Sequence, residues 1–257
     1  MDEKSIIKMI EQNPMKIGDI ENQTEDMKIA ALKRNGMTIK FMKNPSIELQ
    51  KLAIKNDPLS IEYIDNLDEE IAILAVRTLW NSLKYIKYPS ERVIKEAIKT
   101  KGWAIQYVKD PSEELQLLAV SKDYDAIKYI ENPSEEVQET AVKNYWGAIR
   151  FIKNPTLKVQ RLSIMEDDEA INYIQGYSYD EMKLFIKDNI NVVKYLYESI
   201  DPELVVDVLI EKLRDKEITK EYMRNFLDLE ILDMDKVFFI KEYGDKETKK
   251  LLVDCKL

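Results

Sequence analysis

The residues best suited to binding chemistry are cations that recur every 22 positions. Residues three apart on a helix share a face, so two series offset by three residues can line one surface. We call these nine cations the basic ladder: Lys40, Lys84, Lys128, Arg150 and Lys194, followed three residues later by Lys43, Lys87, Lys109 and Lys153. Other residues interrupt the two series, namely Glu62, Gln106 and Asn172 in the first and Asp65, Glu131 and Gln175 in the second. The ladder can bind an acidic protein surface or phosphates, or form a solvated face that neutralises acidic helix starts.

Aromatic residues follow the same period. We call one set the aromatic ladder: Phe41, Tyr63, Tyr85, Tyr107, Tyr129, Phe151, Tyr173 and Tyr195. Single-strand nucleic-acid binders alternate aromatic and basic residues, but these rings lie between aliphatic positions, so we expect them to fill the core between repeats. Trp80, Trp103 and Trp146 lie where one helix of each repeat gives way to the next. They are either core residues or exposed anchors for a partner.

Residues for catalysis or metal binding are scarce. The chain has no histidine, a single cysteine at Cys255 and only 6 glycines, which excludes imidazole catalysis, thiolate metal clusters and glycine-rich phosphate loops. Carboxylate pairs such as Glu69-Glu70 and Glu135-Glu136 recur at helix starts, where the helix dipole explains them. We interpret Asp167-Asp168 as a solvated turn. The sequence therefore predicts no enzyme, no cofactor and no metal.

The amino-acid composition restricts the cellular environment and the class of partner that we expect. The net charge is −9 over 257 residues, which opposes steering toward nucleic acid or an anionic membrane. The N-terminus builds no apolar signal core, and runs such as IAILAV at 71–76 are too short to span a bilayer. We therefore expect a soluble, cytoplasmic protein that binds no membrane.

The elements that position these residues form a repeat. An aliphatic ladder shares the period: Ile17, Ile39, Ile61, Leu83, Ile105, Ile127, Ile149, Ile171 and Val193. So does a ladder of small residues: Ala31, Ala53, Ala75, Ala97, Ala119, Ala141 and Ser163. Fixed periods of this length are typical of solenoids, in which each unit lacks a core until neighbours cover it. The sequence predicts an all-α fold, an α-solenoid of about eight 22-residue helix pairs.

Each pair is expected to contain an amphipathic helix A and a helix B of about two turns. In the stretch NPSEE, either Ser134 caps helix A, or Asn132 caps it with Pro133 in the first turn. Gly36 and Gly102 are expected to end helix A in a left-handed conformation. We predict an N-terminal cap helix at 1–14, the repeat array at 15–200 and a C-terminal helical cap at 201–257. Whether the breaks in the pattern at Leu67, Tyr88 and Tyr177 have a function is left open.

The motifs NPSEEVQETAV and AIKYI resemble the short helical repeats catalogued as domain of unknown function 4116, which occur in bacterial and phage proteins. The chain is also similar, more loosely, to HEAT-like repeats. The resemblance covers about 15–196 and implies a solenoid, while fold alone does not fix function. Because it extends to phage proteins, it also suggests an inhibitor of a host defence factor.

The leading functional hypothesis is a non-catalytic protein–protein interaction solenoid, a scaffold, adaptor or inhibitor. It would bind another protein, with an acidic patch, along helix B through the basic ladder and the three tryptophans. One alternative is a phage-encoded anti-defence protein that inhibits a host immune effector, for example of the CRISPR type. The other is direct nucleic-acid binding, which the acidic net charge disfavours. The oligomeric state is not predicted.

Overall fold

The computed structural model describes residues 2–256 and contains only helices and their connections over that range. It divides into two compact units, Met1–Pro133 and Ser134–Leu257. This division is distinct from the segments expected from sequence (1–14, 15–200 and 201–257), which stay a prediction. The expected all-α solenoid of eight helix pairs is confirmed.

Helix A of each pair is an α-helix of ten residues. The α-helices are α1 Glu3–Gln12, α2 Glu25–Arg34, α3 Ile47–Asn56, α4 Glu69–Thr78, α5 Glu91–Thr100, α6 Glu113–Lys122, α7 Glu135–Asn144, α8 Leu157–Glu166 and α9 Tyr179–Asp188. Five further helices follow: α10 Val193–Leu196, α11 Pro202–Arg214, α12 Lys220–Asp228, α13 Lys236–Tyr243 and α14 Lys246–Lys256.

Helix B is a 3₁₀-helix of six residues, which at three residues per turn gives the expected two turns. These helices are η1 Pro14–Asp19, η2 Gly36–Phe41, η3 Pro58–Tyr63, η4 Trp80–Tyr85, η5 Gly102–Tyr107, η6 Tyr124–Tyr129, η7 Trp146–Phe151 and η8 Asp168–Tyr173, with a shorter η9 Ile190–Val192. Within each unit, consecutive α-helices pack in one layer and consecutive 3₁₀-helices in a second layer. We call these the α layer and the 3₁₀ layer.

The starts of the α-helices follow capping chemistry. Ser134 takes the N-cap of α7, where its hydroxyl accepts a hydrogen bond from the Val137 N–H. Ser90, Ser112 and Thr156 do the same for their helices. The capping side chain satisfies an N–H that the first turn leaves without a helical partner. Of the two alternatives in NPSEE, the serine cap is therefore the one adopted.

The core lies between the two layers. The aliphatic and small-residue ladders are buried throughout, as their periodicity predicts. Side chains three residues apart eclipse one another on a 3₁₀-helix, and the buried partners of the aliphatic ladder are accordingly three residues further on. Examples are Ile39 with Met42 and Ile127 with Ile130.

Gly36 and Gly102 serve a different purpose from the one expected. Neither adopts a left-handed conformation, because α2 and α5 end at extended residues, Asn35 and Lys101, and the glycine that follows begins a 3₁₀-helix. A Cβ at Gly36 would lie 2.4 Å from the carbonyl oxygen of Ala53, and one at Gly102 equally close to that of Ala119. These glycines permit close approach of the next repeat.

The three breaks in the repeat have different structures. Leu67 is partly buried and packs against core residues where most repeats have proline. Tyr88 is 94% exposed. Tyr177 follows Gly176, which has a φ of +69°, and its ring meets Phe185 edge-on with 5.7 Å between centroids. Leu67 and Tyr177 therefore contribute to packing, whereas the Tyr88 side chain extends into solvent.

Two polar side chains of the C-terminal helices cover the end of α9. The Lys212 ammonium donates to the Lys187 carbonyl oxygen at 2.7 Å, and the Tyr222 hydroxyl donates to that of Ile186 at 2.9 Å. Burial lowers the pKa of Lys212 and raises the pKa of Tyr222. The two groups satisfy carbonyls that the end of a helix leaves without a helical partner.

We predict that Gly36→Ala destabilises the protein by roughly 1–3 kcal/mol, the usual cost of forcing extra volume into a packed site. The neighbouring atoms are backbone atoms and cannot rotate away. The measurement is the midpoint of urea unfolding. Lys33→Ala, at an exposed residue of α2, is the control and should change stability by less than about 0.5 kcal/mol. An unchanged or raised midpoint in Gly36→Ala would contradict the close-approach explanation.

Candidate functional site

The 3₁₀-helices and the connections that follow them carry eight of the nine cations of the basic ladder, and the ninth, Lys194, lies in α10. All nine cations are exposed, six in the first unit and three (Arg150, Lys153 and Lys194) in the second. Except for Lys194, the cations of the first series lie near the C-terminal ends of their 3₁₀-helices, and those of the second series lie in the connections that follow. The backbone positions them in this way because the aliphatic ladder and its partner three residues on occupy the buried side.

Most of these cations lack a carboxylate partner. In the part of the chain that the structure describes, Lys128 pairs with Asp125 at 3.2 Å and Lys194 with Asp168 at 3.7 Å. The other seven make no ion pair among the described residues: Lys40, Lys43, Lys84, Lys87, Lys109, Arg150 and Lys153. These seven side chains form no direct ion pair with the acidic starts of helix A, and the two interpretations of the ladder, a binding surface and a solvated face, both stay predictions.

In the α layer, by contrast, ion pairs join successive repeats. Arg92 contacts both Glu69 and Glu70, at 3.1 and 2.6 Å, and Lys95 bridges to Glu114 at 2.7 Å in the first unit. In the second unit Arg161 binds the Asp188 carboxylate through two nitrogens, at 2.7 and 2.9 Å. Several cations of the α layer are thus paired with carboxylates of the adjacent repeat.

The expectation that the aromatic ladder fills the core holds only in part, because Phe41, Tyr85, Tyr107 and Tyr129 pack against the core without being fully buried. None of its eight rings is buried, and Tyr63, Tyr173 and Tyr195 are exposed. In the 3₁₀-helices the chain rotates by about 120° per residue, so a ring two positions after a buried aliphatic residue lies at the edge of the core and keeps part of its surface exposed.

Within each unit, the rings and the cations lie side by side. The Lys40 ammonium lies 5.1 Å from the Phe41 ring centroid and 5.9 Å from that of Tyr63 in the next repeat. Lys84 lies 5.7 Å from Tyr85, and the Arg150 guanidinium 4.7 Å from Phe151. A cation over a ring face is attracted by the ring quadrupole. The pairing holds the cations beside half-buried rings while their charge stays without a counter-ion.

The three tryptophans are partly buried and link neighbouring repeats of the 3₁₀ layer. The ring of Trp80 stacks on Tyr107 at 6.0 Å, and that of Trp103 meets Tyr129 at 6.2 Å. Trp146 meets Tyr173 at 6.4 Å in the second unit. These contacts give them a packing role, while their exposed portions remain part of the surface.

Trp103 has further polar contacts. Its indole N–H donates to the Asp125 carboxylate at 2.6 Å, and the Lys128 ammonium lies 4.0 Å from its ring centroid. An indole, a carboxylate and an ammonium of two adjacent repeats are thereby fixed together. The 22-residue spacing of Trp103 and Asp125 equals the repeat period and is the sequence signal that points to this contact.

The acidic residues have structural roles. Asp68 caps α4 through the Glu70 N–H, and Asp167 caps η8 through the Glu169 N–H, both at 2.9 Å. Over the described residues, no group of His, Cys, Asp and Glu side chains is arranged to hold a metal ion. A search of the same residues finds no helix long and apolar enough to cross a membrane.

Two pockets of the 3₁₀ layer in the first unit were not anticipated from sequence. One, of about 480 Å³, lies between η2 and η3 and the connections that follow them, and is lined by Lys40, Lys43, Tyr63 and Asp65, among others. The next, of about 370 Å³, is lined by Glu62, Asp65, Tyr85, Lys87 and Tyr88, among others. They lie between repeats, so the period of single residues does not reveal them.

The fold places the chain among α-helical repeat proteins. No family model, curated protein or solved structure matches it. The similarity to domain of unknown function 4116 therefore stays an expectation from its motifs.

The carboxylate of Glu139 allows a test of the α-layer ion pairs. Hydrogen bonds from Lys158 and then Lys143 hold the pKa of Glu139 below its ordinary value of 4.5. A lowered folded-state pKa contributes stability above the unfolded-state pKa, and this contribution is lost as the pH falls through the folded-state pKa. We therefore predict that Glu139→Gln lowers the thermal unfolding midpoint at about pH 7 and that the difference from wild type is smaller at an acidic pH below the ordinary value of 4.5.

Thermal unfolding followed by circular dichroism at both pH values measures this effect. Glu136→Gln is the matched control, because Glu136 lies on the same helix, is exposed and makes no ion pair among the described residues. It should leave the midpoint nearly unchanged. Equal effects of the two substitutions at about pH 7 would argue against a stabilising role for the Glu139 pairs.

Proposed function

We propose that this chain is a non-catalytic protein-interaction module whose 3₁₀ layer binds an acidic segment of another protein. One observation carries the proposal: seven cations of the basic ladder are exposed, lie in the same layer as half-buried rings and have no carboxylate partner in the described structure.

The proposal follows from the difference between the two layers. A carboxylate that approaches a paired cation of the α layer, such as Arg92 or Lys95, must break existing contacts to bind it. A carboxylate that approaches Lys84 or Lys87 breaks no ion pair among the described residues. Charge complementarity of this kind raises association rates and selects partners. The adjacent rings supply apolar contact area, which aromatic residues commonly provide in interfaces.

The remaining parts of the proposal rest on the sequence. We propose a cytoplasmic protein because it contains a single cysteine. The absence of histidine supports a role without imidazole catalysis. A phage anti-defence inhibitor is a narrower form of the proposal, and the motif resemblance is its only support.

Single-stranded nucleic acid is the second candidate partner, and one observation favours it. The aromatic ladder is half-buried or exposed beside cations, an arrangement that single-strand binders use to stack bases and track phosphates. The net charge of −9 opposes it, because it repels a polyanion at long range. Binding an acidic protein segment requires fewer clustered cations than binding a nucleic acid does. For that reason we favour the acidic protein segment as the partner.

We predict that Lys84→Glu/Lys87→Glu weakens binding of a fluorescent polyglutamate peptide at least about tenfold in fluorescence anisotropy, since two attractive charges become repulsive. Lys51→Glu/Lys55→Glu is the matched control, with the same charge change on exposed residues of α3 in the same unit. It should change the affinity less than about twofold.

The outcomes separate the candidates. Equal losses in the two double variants would mean that the peptide senses net charge and not the 3₁₀ layer. No binding of polyglutamate at low salt would overturn the proposal. An oligothymidylate that binds more tightly than polyglutamate, with an affinity that falls steeply with salt, would favour nucleic acid.

A further inference from the structure

Three consecutive repeats of the first unit carry alternating charge along the 3₁₀ layer. The pair that belongs to η2 is basic, the pair of η3 is acidic and the pair of η4 is basic. The residues are Lys40 and Lys43, then Glu62 and Asp65, then Lys84 and Lys87, and all six are exposed. The acidic pair interrupts the basic ladder in the middle of its most regular stretch, so a partner that is uniformly acidic would meet repulsion there.

These opposite charges do not pair with one another. None of the six makes an ion pair among the described residues, although each basic pair is in a repeat next to the acidic pair. Arg92 of α5, by contrast, reaches two glutamates of the adjacent α4. Spaces in the 3₁₀ layer separate the charges, namely the pockets of about 480 and 370 Å³. Asp65 lines both pockets, with Lys43 on one side and Lys87 on the other.

The charge order and the repeat spacing define the occupant. Packed helices are about 9 Å apart, and a polyproline II helix advances about 9.3 Å in three residues, after which the side chain returns to the same face. A β-strand would direct side chains three apart to opposite faces. Rings of the same layer, Tyr63 and Tyr85 with the exposed Tyr88, line the two pockets. Aromatic-lined grooves are the surfaces that bind proline-rich segments.

We propose that η2, η3 and η4 bind a proline-rich protein segment in the polyproline II conformation. Every third residue of this segment is charged, in the order acidic, basic, acidic. Its acidic residues contact the lysines of η2 and η4, its basic residue contacts Glu62 and Asp65, and its prolines contact the tyrosines. This inference rests on the proposed function and adds to it the conformation and charge order of the bound segment.

The test measures fluorescence anisotropy of the full chain with three labelled peptides of roughly nine residues and high proline content. The first has the order acidic, basic, acidic at every third position, the second has the same composition with the charges clustered, and the third is acidic at all three positions. We expect the first to bind at least about tenfold more tightly than either of the others, because only it places each charge opposite its complement.

A variant separates charge order from general attraction. Glu62→Lys/Asp65→Lys should weaken binding of the alternating peptide about tenfold and strengthen binding of the all-acidic peptide by a similar factor. Glu11→Lys/Glu166→Lys, with the same charge change at exposed residues in the last turns of α1 and α8, should leave the order of the three affinities unchanged. Circular dichroism of each variant confirms that it is folded.

Each result decides one question. If the wild type binds the all-acidic peptide as well as the alternating one, or if Glu62→Lys/Asp65→Lys does not invert the preference, the inferred charge order is wrong while the proposed acidic-segment binding stands. Equal binding of the alternating and clustered peptides overturns the polyproline II spacing. If no acidic peptide, including polyglutamate, binds the wild type, the proposed function fails as well.

Discussion

The structure depends on the burial of each repeat by its neighbours. A ten-residue α-helix and a six-residue 3₁₀-helix have too little contact with each other to exclude water from Ile39 or Ala53, and both residues are nevertheless fully buried. The missing cover comes from the repeats before and after, which is the general condition for stability in solenoid folds. The 22-residue period is therefore a packing requirement. It does not constrain the residue type at positions outside the core.

Because packing does not constrain the exposed positions, the exposed side chains of the two layers can differ in chemistry. Successive α-helices lie side by side in direct contact, and long side chains such as Arg92 and Lys158 reach carboxylates of the adjacent helix. Spaces separate the exposed side chains of neighbouring repeats in part of the 3₁₀ layer, so opposite charges such as Asp65 and Lys87 stay unpaired. Ion pairs at an exposed surface contribute little to stability. Unpaired charges beside half-buried rings are the part of the surface that evolution can use for a partner.

The sequence predicts the architecture well because burial imposes a strict period. Helix number, cap positions and the two buried ladders follow from the spacing of aliphatic and small residues. The core expectation for the aromatic ladder holds only in part, because a 3₁₀-helix places a ring two residues after a buried Ile at the edge of the core, where a ring such as Tyr107 packs against the core and stays partly exposed. A six-residue segment is too short for its own periodicity to distinguish the two helix types. The clue was the buried residue three positions after Ile39, because Met42 matches the 3₁₀ repeat.

The sequence predicts the positions of the candidate site but not its ion pairs, and the reason is physical. The exposed positions of the basic ladder follow from its spacing, but the ion-pair status of Lys84 or Arg150 depends on distances to other repeats, which a one-dimensional pattern does not contain. Similarly, the interruption at Glu62 and Asp65 looks like drift in the sequence and becomes a distinct charge boundary only when two pockets are seen to flank it. In a repeat protein the regular positions encode the fold, whereas irregular positions that remain exposed and unpaired are where specificity for a partner can reside.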